Sequence, residues 1–134
     1  MEPAFAMEPT LMMQTASVLL TLTALGGLIM AAIRFRGKPH PPTWLAMLHG
    51  FLSSAALTLL TYAYFTVGLP GMGQVALALF LFAAAIGTYI NINYRWEMLP
   101  LPKGLVLAHA AIAGSGFVLL LFSTWNVSHT SFAG

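Results

Sequence analysis

Four long apolar runs divide this chain, and they are separated by short polar or basic segments. The runs extend roughly from Leu11 to Ile33, Thr43 to Thr66, Met72 to Ile92 and Gly104 to Trp125, with no Asp, Glu, Lys or Arg inside any of them. A helix needs about 20 mostly apolar residues to cross a bilayer, and each run meets that length. The runs lack the alternation that a lipid-facing barrel strand would show. The pattern predicts an all-α protein, an integral membrane four-helix bundle with up-down-up-down topology, because short loops make neighbouring helices antiparallel. Residues 1–134 read as a single transmembrane domain.

Composition sharpens this picture. Apolar residues make up 59% of the 134 and charged residues 6%, where an ordinary soluble domain carries about 25%. Too few charges remain to cover a soluble globule, and the mean hydropathy is +0.86. All five basic residues lie in the first and third loops: Arg34, Arg36 and Lys38, then Arg95 and Lys103. The positive-inside rule puts those loops in the cytoplasm and both termini outside, as in a bacterial-type inner (plasma) membrane. Trp44, Tyr94 and Trp96 mark the inner boundary, and Tyr62, Tyr64 and Trp125 the outer one. The N-terminus carries Glu2 and Glu8 but no basic segment, so no cleaved signal peptide is expected. The tail after Trp125 reads as short, polar and disordered at its end. The basic residues form loops and not a stripe, so no nucleic-acid partner is expected; the lipid bilayer is.

Several chemistries are excluded. Asp and Cys are absent, and Glu2, Glu8 and Glu97 are the only acids. Paired-carboxylate catalysis, thiol chemistry and Cys-ligated metals therefore have no residues. Gly-rich phosphate loops and nucleophile elbows are absent as well.

A shift of 60 residues aligns the two halves without gaps. Gln14 falls on Gln74, Gly27 on Gly87, Pro42 on Pro102 and His49 on His109. Two parallel two-helix repeats would be related by an axis along the membrane normal. Equivalent residues on the second and fourth helices would then share one depth, on opposite sides of that axis.

His49 and His109 are the only histidines in the runs, each seven residues after a proline that ends a basic loop. Each sits about 9 Å inside its helix at 1.5 Å per residue. Two imidazoles facing one axis at one level are the arrangement that bis-histidine ligation of a haem iron requires. Ser53, Ala56, Ala113 and Gly116 follow the histidines on the same helix faces and would leave room above the ligands. Gly27 and Gly87 lie near the histidine depth on the other two helices. Glycine in a helix interior costs about 1 kcal/mol relative to alanine, and close approach of a flat macrocycle edge would account for both. Arg34, Arg36, Arg95 and Lys103 stand where charge-assisted hydrogen bonds could hold two propionates. Zinc or copper on the same pair lacks a third ligand. A His–Met haem would draw on Met30 or Met47, neither of which has a methionine partner in the other half.

With these residues in place, the chain resembles a minimal four-helix transmembrane b-type cytochrome, of cytochrome b or cytochrome b561-like architecture. The resemblance covers all four helices and is architectural. It implies a haem b and electron transfer. Members of those groups usually hold two haems, but Tyr62 and Phe122 stand where a second ligand pair would be needed. One haem near the cytoplasmic side is therefore expected, in a subunit of, or partner to, a larger redox complex, with other redox subunits or the quinone pool as partners. Gln14 and Gln74 are the residues that could meet a quinone head group. The alternative is a haem-free structural or assembly subunit of a membrane complex. A small transporter is disfavoured by the lack of charge within the spans. His40 and His129 read as solvated surface histidines.

Overall fold

The structure, a computed structural model, describes residues 8–131; Glu2 and the N-terminal segment without a basic leader lie outside the described residues. It is all-helical: α1 Pro9–Phe35, α2 Thr43–Thr66, α3 Gly71–Ile90 continued by a π-helical turn at Asn91–Arg95, and α4 Lys103–Ser131. All four helices are long and apolar enough to cross a membrane. This fits a multi-pass membrane protein.

Local chemistry sets the helix ends. Pro42 and Pro70 directly precede α2 and α3, and a Pro stands in the first turn of α1. These are positions where a missing N–H costs nothing, because the first-turn donors have no intrahelical partner. Gly37 and Gly68, with φ of 99° and 80°, turn the chain out of α1 and α2. That left-handed conformation carries no side-chain clash at glycine.

The expected limits hold for α2 and shift elsewhere. The third run leaves α-geometry at Asn91, where Trp96 N–H donates to Asn91 O (3.0 Å), five residues back. Such a turn inserts one residue into a helix. Its effect is visible one turn later, at Met98, which has a φ of 57°. Met98 stands 61 and not 60 residues after its counterpart Gly37. α4 continues past Trp125 to Ser131, and the His129 ring packs on Trp125 (4.3 Å between centres); the end of the tail, where disorder is expected, lies outside the described residues.

Packing is uneven. α1 lies mainly against α2 and α3 against α4; α1 also packs along α4, whereas α2 and α3 touch least. The buried cluster includes Met13, Ala16, Ala56, Leu60, Ala76, Phe80 and Leu120, with Leu69 from the turn between α2 and α3. It fills the half of the helices nearest the chain termini. There Ser17 and Thr124 hydroxyls hydrogen-bond between α1 and α4 (3.3 Å). Burial follows the 60-residue shift closely: residues 51–60 and 111–120 have the same class position by position.

The first and third loops are clasped together. His40 Nε2 donates to Leu99 O (2.7 Å), and Leu101 N–H to Pro39 O (3.4 Å). Arg34 Nε donates to Leu101 O (2.6 Å), and Arg95 reaches Pro41 O with both terminal nitrogens (3.3 and 3.4 Å). The two acceptors are 60 residues apart and the two arginines 61, so the extra residue of the π-turn brings Arg95, not Tyr94, into the place corresponding to Arg34.

Candidate haem-ligand site

The half of the helices nearest the basic loops holds a cleft of about 680 Å³, lined among others by Gly27, Arg34, His49, Gly87, Arg95 and His109. That volume falls within the roughly 300–1,000 Å³ of pockets that take small-molecule cofactors. The cleft draws its lining from all four helices.

His49 and His109 meet across it. Their ring centres are 6.1 Å apart, with 61° between the ring planes. Both rings are half-buried. His49 Nδ1 lies 2.9 Å from Thr23 O and His109 Nδ1 lies 2.8 Å from Ala83 O, each a separation of 26 residues along the chain. A carbonyl oxygen only accepts, so each Nδ1 carries the proton and donates it. In the neutral ring this leaves Nε2 as an unprotonated lone pair, the form in which imidazole binds a metal.

The glycines explain how the rings reach those carbonyls. Thr23 and Gly27 are one turn apart on one face of α1. A Cβ at Gly27 would stand 3.1 Å from His49 Cε1 and 3.4 Å from Nδ1; at Gly87 the same two distances to His109 are 3.1 and 3.4 Å. The missing side chains thus make space for the imidazoles. The side chains nearest both glycines are these imidazoles, and both glycines also line the cleft.

Of the four basic residues assigned to propionates, Arg34 and Arg95 line the cleft. Arg36 is exposed, and Lys103 places Nζ 5.4 Å over the Phe35 ring. Ser53 lines the cleft, but Ala56 is in the packed cluster. Gly116 lies against α3, where a Cβ would meet Ala76 O at 3.3 Å. The last two residues serve helix contact. Gln14 and Gln74 are both exposed, and Gln74 donates to Leu69 O (2.9 Å).

The residue pattern gave no sign of the Thr23 and Ala83 carbonyls. Their indirect mark is the glycine four positions later in each case. Among the described residues no group of three or more His, Asp or Glu side chains converges, so the pair offers a metal two protein ligands.

The spacing of the two rings is compatible with two ligands to one metal. Two metal–nitrogen bonds of about 2 Å, with each ring centre about 1.1 Å behind its nitrogen, would set the centres roughly 6 Å apart, close to the separation observed. Comparison with protein-family models, curated proteins and solved structures finds no match for this chain.

Proposed function

We propose that this chain is a membrane-embedded b-type haem protein for electron transfer, with one haem ligated by His49 and His109. The observation that carries the reading is the imidazole pair: 6.1 Å between centres, each Nδ1 committed to a carbonyl and each Nε2 left free. Haem, when bound, supplies a one-electron ferric–ferrous couple. His49 and His109 would hold it, their rings oriented by Thr23 O and Ala83 O. Arg34 and Arg95, whose guanidinium groups keep N–H donors beyond those used on Leu101 O and Pro41 O, would hold the propionates. The apolar helices exclude water from the cleft walls.

The bundle is read as two parallel two-helix repeats in up-down-up-down order. Support comes from the matching 26-residue His–carbonyl separations and the matching burial of residues 51–60 and 111–120. Placing the clasped basic loops on the cytoplasmic side follows from charge, and puts the haem nearer that side of a bacterial-type inner membrane. One haem leaves much of the bilayer uncrossed, so the electron passes to or from a partner redox subunit or the quinone pool.

A second reading, a haem-free structural or assembly subunit, draws on the same hydrogen bonds. His49 ties α2 to α1 and His109 ties α4 to α3, which is useful glue between membrane helices without any metal. A visible spectrum of the purified protein separates the two. The haem reading expects a Soret band and a sharp α band on reduction. Their absence from protein made with ample haem supply would leave the structural reading.

A further inference from the structure

We propose that Gly27 and Gly87 are positioning residues for the two ligands: by letting each imidazole lie against helix backbone, they fix the Nδ1–H tautomer and set the electron-donating strength of the axial Nε2. The proposal rests on the haem reading above and adds to it a determinant of the haem potential.

In a helix, the carbonyl of Thr23 already accepts the N–H of the residue four positions later, which is Gly27, and the same holds for Ala83 and Gly87. Each carbonyl oxygen has a second lone pair, and the imidazole takes it. The ring reaches that lone pair by passing over the glycine Cα, where any side chain would stand. A methyl group 3.1 Å from Cε1 is closer than ordinary carbon–carbon contact, so the ring must shift by a few tenths of an ångström. The ring is tethered to the neighbouring helix through its own Cβ, so the shift swings Nδ1 away from the carbonyl. The same contact appears in both halves, on different helices, with the same atoms and the same distances. Gly114, by contrast, is a helical glycine whose added Cβ would meet nothing within 4 Å.

The chemical effect follows from the bond. An Nδ1–H that donates to a carbonyl raises the basicity of the opposite nitrogen. A more basic axial nitrogen favours the more highly charged ferric iron and lowers the potential. Weakening the bond has the reverse effect and also changes the ring planes, which now stand at 61°.

The test uses full-length protein in a background of His40→Ala and His129→Ala, so that only His49 and His109 report. Gly27→Ala, Gly87→Ala and the control Gly114→Ala are compared with the parent. In haem-loaded protein, redox titration should show a more positive midpoint potential for Gly27→Ala and for Gly87→Ala. Electron paramagnetic resonance should show altered low-spin g-values, with Gly114→Ala unchanged in both. In haem-free protein carrying nitrogen-15 histidine, NMR should show the Nδ1–H tautomer for both rings of the parent. His49 alone should lose it in Gly27→Ala and His109 alone in Gly87→Ala, the undisturbed ring confirming that the fold survives. Parent-like potential, g-values and tautomers in both variants would overturn the positioning role while leaving haem binding intact. If the parent takes up no haem, the functional reading fails, and the tautomer spectra still decide whether the glycines set the rings. A variant that loses haem altogether is judged by the same spectra.

Discussion

The half of the molecule near the chain termini and the half near the basic loops solve opposite problems with the same helices. In the first, Met13, Ala56, Leu60 and Leu120 are wholly inaccessible, and α1 is joined to α4 by the Ser17–Thr124 bond. In the second, the centre is a cleft with two half-buried imidazoles. Lipid is as apolar as leucine, so membrane helices gain little from burial itself and depend on close packing and hydrogen bonds. A hollow half is affordable only beside a filled one. The contrast puts the packed core at one end of the bundle and the open cleft with its two histidines at the other.

The largest effect expected is on the hollow half. His49→Ala or His109→Ala should abolish stable haem binding, seen as loss of the Soret band after purification in mild detergent, while His40→Ala and His129→Ala should retain it. A normal low-spin spectrum in both axial variants would dissolve the contrast, because the cleft would then have no ligand role. In the filled half, Leu60→Ala or Leu120→Ala should destabilise the bundle by about 2 kcal/mol, from the cavity contribution alone, since transfer to lipid adds little. Thermal unfolding in detergent would measure it, and the haem-to-protein ratio should hold at low temperature. A loss of haem without loss of stability would show that the two halves are not independent.

A smaller effect sharpens the description of the filled half. Ser123 is buried, and its Oγ has no hydrogen-bond partner among the described residues. The residue 60 positions earlier is Ala63, equally buried. Ser123→Ala should therefore stabilise by about 1 kcal/mol, the cost of an unsatisfied buried hydroxyl. A lowered melting temperature would mean that the hydroxyl has a partner after all. The smallest effect lies in the loop clasp. Met98→Gly keeps the left-handed conformation and removes its side-chain strain of about 1 kcal/mol, but adds chain entropy of about 0.5–1 kcal/mol to the unfolded state. A net gain of a few tenths of a kcal/mol should appear as a slight rise in melting temperature.

The sequence makes the four helices legible because hydrophobic length alone specifies them, and α2 begins and ends where its run does. The His49/His109 pair and the Gly27/Gly87 pair are legible as chemistry-bearing residues that recur at one spacing. What those glycines touch is not, because a backbone carbonyl at Thr23 or Ala83 has no signature of its own. The π-turn also escapes notice: Asn91 and Ile92 read as the end of an apolar run and residues 93–95 as the start of a basic loop, and only backbone geometry reveals the inserted residue. Arg34 and Arg95 could be told from Arg36 and Lys103 only after the loops were seen to cross. The helical tail to Ser131 was hidden by its polar composition, since polarity marks the edge of the apolar layer and not the end of a helix.

Each imidazole takes its hydrogen-bond partner from the helix that a short loop joins to its own. Ring orientation is therefore settled inside a hairpin, whereas ring separation is settled between hairpins, by the α1–α4 seam and the loop clasp. Membrane helices insert before they assemble, so orientation can be fixed at an earlier stage of biogenesis than distance. The two quantities can be adjusted separately: substitutions at the seam tune the spacing across the cleft, and substitutions beneath a ring tune its angle.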